Sequence, residues 1–249
     1  MVIDSHVHVG ESLFGYKLTV EELLSCMKEC KIDKAIISPV KPRNYHFEPE
    51  NDFIANCVKE FPDKFIGFGR IDPWQKEKAL EEIDRCIKTL KFKGLFLHPW
   101  EESFLVNGKL LYPVMEKAME YNIPVMISGG HVRVSEPLQI GDIAGEFPKV
   151  NIIATSGGQI NICGMALYDA ENMLTENKNV YLETSGIYRQ DFIENMIRKL
   201  GSFRVLYGSN APVMDIRYEI MRATTARISD EEREDILGRS ISKLVKDEE

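Results

Sequence analysis

Short apolar runs alternate with amphipathic stretches along the whole chain. Eight runs read as strands: 2–9, 35–40, 65–71, 94–98, 124–128, 151–155, 180–184 and 204–208. Several are unbroken apolar stretches, such as Ala35-Ile36-Ile37 and Leu95-Phe96-Leu97, the pattern of strands buried on both faces of a parallel sheet. The segments between them have helical spacing. Residues 19–31 place Val20, Leu23, Leu24 and Met27 on one face and open with Thr19 and Glu22 in a capping box. Residues 75–90 align Leu80, Ile83, Ile87 and Leu90. The same spacing returns over 110–121, 136–147, 163–177, 190–200 and 213–226, and the polar tail 229–249 reads as one more helix or two short ones. Eight strands alternating with helices in 249 residues predict a single (β/α)8 TIM barrel over residues 1–249. The competing doubly wound sheet usually carries G-x-G-x-x-G after its first strand, where this chain has His6-Val7-His8-Val9-Gly10-Glu11.

Composition narrows the function. With 44% hydrophobic and 28% charged residues the chain can bury a sizeable core, which excludes a disordered or low-complexity chain. A net charge of −8, from 31 basic and 39 acidic residues, disfavours a nucleic-acid partner. No apolar run approaches the ~20 residues of a membrane span, and a strand beginning at Val2 leaves no room for a leader. The expectation is a soluble, cytoplasmic protein with a small-molecule partner, no membrane or nucleic acid, and homo-oligomerisation open. The five cysteines (Cys26, Cys30, Cys57, Cys86 and Cys163) read as buried thiols, although Cys26 and Cys30 share a helix face.

In a barrel of this kind the chemistry sits at the C-terminal strand ends. Those ends hold His6 and His8, Arg70, His98, Ser128 with His131, Thr155, Glu183 and Asn210. Four of the five histidines fall there, and only His46 lies elsewhere, in a loop after the second strand. Alternation along a strand puts His6 and His8 on one side, a ready pair of metal ligands. Arg70 offers a planar fork for a carboxylate, against the plainer reading of a salt bridge to Asp72 or Glu183. Glu183 is a ligand or base if it points inward, and otherwise an arginine's partner. Arg43, Arg133 and Arg189 also follow strands and read as loop ion pairs. The pairs Gly129–Gly130 and Gly157–Gly158 suit an anion cradle or, more simply, tight turns. Trp74 and Trp100 wall a pocket or pack loops, and Met115, Met119, Met126 and Met165 read as core filling.

The segments VIDSHVHVG, GLFLHPW, IPVMISGG, NIIATSGG, VYLETSG and RVLYGSNAP, in this order, resemble the amidohydrolase-2 family of metal-dependent TIM barrels. The resemblance implies one divalent metal, zinc foremost, held by the H-x-H pair, a His ending strand five, often a His ending strand six, and an Asp in G-S-D-x-P. Here the last three positions are Ser128, Thr155 and Asn210. Neutral oxygens are poor zinc ligands, and Asn cannot act as a general base. The implied metal set is therefore His6, His8 and Asn210, weakened, with His98, His131 or Glu183 as compensating donors. The implied catalytic residues are His98, His131 and Asn210, and the implied substrate contacts are Arg70, Ser128, Thr155 and Glu183. The expected activity is metal-assisted hydrolysis or non-oxidative decarboxylation of a small, carboxylated substrate. The alternative is a catalytically inactive barrel that binds a small anion or acts as a regulatory or binding protein.

Overall fold

The computed structural model describes residues 1–159 and 164–247. Its strands are β1 (Ile3–Glu11), β2 (Lys17–Leu18), β3 (Lys34–Pro39), β4 (Phe65–Arg70), β5 (Gly94–Leu97), β6 (Val125–Ile127), β7 (Ile152–Ala154), β8 (Val180–Glu183) and β9 (Val205–Leu206). The helices are α1 (Val20–Cys30), α2 (Glu48–Glu60), α3 (Glu77–Lys88), α4 (Tyr112–Tyr121), α5 (Pro137–Glu146), α6 (Gly164–Glu176), α7 (Gln190–Leu200), α8 (Ile216–Thr225), α9 (Asp230–Glu234) and α10 (Ser240–Val245). From β4 to β9 each strand pairs in parallel with the one before it, and β3 pairs in parallel with β1. Backbone bonds from Ser5 N to Tyr207 O (3.0 Å) and from Asn210 N to His6 O (2.7 Å) join the last strand to the first. The sheet closes into the (β/α)8 barrel.

All eight expected strands form. The two-residue β2, antiparallel to the end of β1, is an addition. Helix α2 is a further addition, because its inward face is not a clean apolar stripe. Buried Asn51 sits among Ile54 and Cys57 on that face, where its amide accepts from Arg70 N (3.0 Å) and donates to Arg70 O (2.9 Å) and Glu82 (2.7 Å). A polar anchor thus stands where a hydrophobic repeat would announce a helix.

Two apolar layers hold the barrel. One lies between strands and helices. The other fills the barrel axis with Ile3, Ile36, Phe68, Phe96, Met126, Ile153 and Leu206, and is plugged by Ile241 and Val245 of α10. The register shifts between Asp4 and Val7 of β1. This break in the two-residue period lets Ile3 join the axial layer while Val7 and Val9 join the outer one, so the even-numbered His6 and His8 turn inward.

Buried Arg204 bonds the carbonyls of Leu174 (2.7 Å), Asn177 (2.7 Å) and Val180 (Nε, 3.0 Å). It thereby caps the end of α6 and ties it to β8. Arg204→Met is expected to cost roughly 3 kcal/mol, three carbonyls each losing a donor at about 1 kcal/mol or more. The check is a lowered denaturant midpoint at unchanged slope.

The thiols of Cys57 and Cys86 are buried as expected, while Cys26 and Cys30 are only partly so, and all four are free. Cys163 lies outside the described residues. Met115 and Met126 are core residues, but Met119 is 42% exposed, since it falls on the outer face of α4; the Met165 side chain lies outside the described part of the structure. No helix among the described residues is long and apolar enough to cross a membrane.

Candidate functional site

A cavity of about 350 Å³ opens at the C-terminal end of the barrel. It is lined by His6, His8, Arg70, His98, Ser128, His131, Thr155 and Asn210, and by Phe14, Tyr16, Phe96 and Trp100. The strand-end residues therefore share one cavity, with Glu183 just behind it.

His6 and His8 are both buried, with their Nε2 atoms 3.0 Å apart. His6 Nδ1 lies 3.2 Å from Glu183 Oε2. A carboxylate only accepts, so this nitrogen carries the proton and leaves the Nε2 lone pair free. Ser38 Oγ, 2.9 Å from His8 Nδ1, anchors the second ring. Burial, with His6 and Arg70 nearby, holds the His8 imidazole well below its usual range, so it is neutral at pH 7. Glu183 is fully buried and also accepts from Ser156 N (3.2 Å), Ser185 N (2.5 Å) and Ser185 Oγ (2.7 Å). It orients His6 rather than pairing with an arginine.

A second chain of groups runs beside this pair. Glu101 N donates to His98 Nδ1 (3.3 Å), which places the His98 proton on Nε2. That atom is 3.2 Å from Ser128 Oγ, and Ser128 Oγ is 3.1 Å from His131 Nε2. Burial depresses both imidazoles, so the chain is an uncharged hydrogen-bonded relay. Trp100 stacks on His131 at 5.9 Å and 17°. Trp74 does not line the cavity; it is exposed, with its indole N–H on Glu102 O (3.0 Å).

Arg70 is buried, with Nη2 bonded to Glu101 and to Glu102 Oε1 (2.8 Å) and Nη1 bonded to Pro39 O (3.2 Å). Buried Lys41 meets the same Glu102 oxygen at 3.0 Å. The partners are thus Glu101 and Glu102 rather than Asp72 or Glu183, and the buried Nε of Arg70 has no partner among the described residues. Asp72 is instead occupied in capping the turn at Trp74. Tyr16 donates to Glu101 Oε1 (2.8 Å), and burial together with Glu101 pushes its hydroxyl up to about 12. Two cations and two carboxylates balance beneath the cavity. Sequence reasoning missed Lys41, Glu101, Glu102, Tyr16 and Gln159. Charged residues so close behind strand ends were the available signal.

The glycine pairs are turn residues. Gly130, Gly157 and Gly158 have positive φ, and a Cβ on Gly129 would stand 2.7 Å from Gly158 Cα. Arg43 and Arg189 pair with Glu11 and Asp191 away from the cavity, and Arg133 does not line it.

The cavity residues that could hold a divalent metal are the two converging imidazoles, His6 and His8, and the neutral amide of Asn210. Ser128 is engaged by two histidines, and Thr155 Oγ1 accepts the Gly129 N–H (3.1 Å). Among the described residues no three His, Cys, Asp or Glu side chains come together as a ligand set. Neutral oxygens are weaker zinc ligands than imidazole, thiolate or carboxylate.

The profile of the amidohydrolase (Amidohydro_2) family matches residues 3–245. The chain belongs to the amidohydrolase family. Among curated members it is 23% identical to a gamma-resorcylate decarboxylase of Polaromonas sp. JS666, over 75% of this chain and 72% of that one. Among solved structures its fold is similar to 2,6-dihydroxybenzoate decarboxylase complexed with 2,6-dihydroxybenzoate (TM-score 0.80, 17% identity, 99% and 98% of the two chains). It is likewise similar to 5-carboxyvanillate decarboxylase from Novosphingobium aromaticivorans, complexed with manganese and 4-hydroxy-3-methoxy-5-nitrobenzoic acid (TM-score 0.81, 16% identity, 99% and 96%). The relatives reported for this amidohydrolase-family chain are named as decarboxylases, not hydrolases.

Proposed function

We propose that this chain takes a small aromatic carboxylate and decarboxylates it. The observation that carries the reading is the cavity itself, walled by Phe14, Tyr16, Phe96 and Trp100 and reaching the His6–His8 pair. Flat aromatic walls favour a flat aromatic guest, and the names of the relatives favour loss of CO₂ over hydrolysis. Decarboxylation of an aromatic ring breaks the bond to the carboxyl carbon and puts a proton on the ring carbon. The His98–Ser128–His131 relay is the proton-handling group at the cavity. Arg70, through its unspent Nε–H, is the donor available to the anion. His6 and His8, with the Asn210 amide oxygen, would hold a divalent ion loosely, manganese or zinc; when bound it supplies Lewis-acid polarisation of the substrate's oxygens. Thr155 shapes the wall, and Glu183 keeps His6 aligned. We place the protein in the cytoplasm as one domain.

The neutral oxygens at Ser128, Thr155 and Asn210 favour a second reading, a barrel that binds such an anion without turnover. The test is CO₂ release from a panel of hydroxybenzoates with manganese supplied in excess. Turnover of at least one substrate, lost on omitting the metal, is expected. Binding without CO₂ release is the result of the second reading, and neither binding nor release contradicts both.

A further inference from the structure

Gln159 is the one described residue lining the cavity whose side chain has both polar atoms buried and unpartnered. It is 1% exposed, and neither Oε1 nor Nε2 has a hydrogen-bond partner among the described residues. Leaving a buried donor and acceptor unmade is costly, and the local backbone sets the amide in place. Ser156 (φ 53°, ψ 25°) and Gly157 (φ 63°, ψ 23°) both lie in the left-handed region, Gly158 follows at φ 79°, and Gln159 N bonds Ser156 O (3.2 Å). The turn that ends β7 thus sets Gln159 in the cavity wall with nothing among the described residues to satisfy its amide.

We propose that Gln159 is a specificity-determining residue that reads a paired acceptor and donor on the substrate's edge. An amide presents one donor and one acceptor side by side, so its complement is a group with one acceptor and one donor side by side. An aromatic carboxylate bearing an ortho hydroxyl has this edge: a carboxylate oxygen accepts from Nε2, and the phenolic O–H donates to Oε1. A benzoate lacking the hydroxyl leaves Oε1 buried and unmet, and sites built to bond a hydroxyl reject analogues without it. The inference rests on the aromatic-carboxylate reading of the cavity.

The experiment is calorimetric titration of the full-length chain and of Gln159→Leu with benzoate, 2-hydroxybenzoate and 2-methoxybenzoate. The wild-type chain is expected to bind 2-hydroxybenzoate about tenfold more tightly than benzoate, and to bind the methoxy compound no better than benzoate. In Gln159→Leu the three affinities fall within about twofold of one another, each at or somewhat below that of the wild-type chain for benzoate, since the Nε2 donor to the carboxylate is lost as well. The melting temperature of unliganded Gln159→Leu stays level or rises, because an unmet amide is replaced by an apolar group; a role confined to packing or internal hydrogen bonding would lower it. An unchanged hydroxybenzoate preference in Gln159→Leu, or a marked fall in its melting temperature, overturns the assignment of Gln159 while leaving the cavity reading intact. If the wild-type chain binds none of the three, the cavity reading fails and the assignment fails with it.

Discussion

Replacing His6 and His8 together with alanine is expected to abolish divalent-metal binding, lowering affinity by more than ~100-fold. Loss of an outer-shell partner alone brings ~10–100-fold, and here both imidazole ligands go. What remains is the Asn210 amide oxygen, because the Ser128 and Thr155 oxygens are engaged elsewhere. His6→Gln with His8→Gln serves as the companion variant, since it keeps polar volume beside Glu183 and Phe96. Metal content after equilibration with manganese, beside a far-ultraviolet circular dichroism spectrum showing the fold retained, reads the result. Wild-type stoichiometry in either variant would show that the ion sits elsewhere.

The second large effect concerns Glu183. Its two oxygens receive His6 Nδ1, Ser156 N, Ser185 N and Ser185 Oγ in a fully buried setting. Glu183→Ala strands at least three buried donors at about 1–3 kcal/mol each. A loss on the order of 4 kcal/mol is therefore expected by chemical denaturation. Glu183→Gln keeps an acceptor for some of them and is expected to cost about half as much. Both variants also free the His6 ring, so metal affinity falls ~10–100-fold even where the fold survives. Denaturation midpoints matching the wild type would mean that Glu183 does not hold this end of the barrel together.

The barrel was legible because each strand is a short apolar run between helical repeats, and because the chemistry of such barrels concentrates at strand ends. Those ends held His6, His8, Ser128, Thr155 and Asn210, and all of them line the cavity. What the sequence hid has particular causes. Helix α2 carries Asn51 where an apolar residue would mark the repeat. The inward turn of His6 and His8 depends on a bulge that breaks strand periodicity, not on simple alternation from Ile3. The partners of Arg70 come from the loop after β5, 31 and 32 residues away, so no local spacing announces them. Gln159 lies five residues past the end of β7, and only the left-handed run between them brings it to the cavity wall.

The most direct test of the central claim, a decarboxylase-like barrel with a thinned metal site, is the metal content of the purified wild-type chain after dialysis against a chelator. Two imidazoles and one neutral amide oxygen make a loose site, so the account predicts well under one equivalent of metal, recovered on adding excess manganese or zinc. One full equivalent of zinc surviving the chelator would contradict it, and would assign a ligand role to a further donor in the cavity.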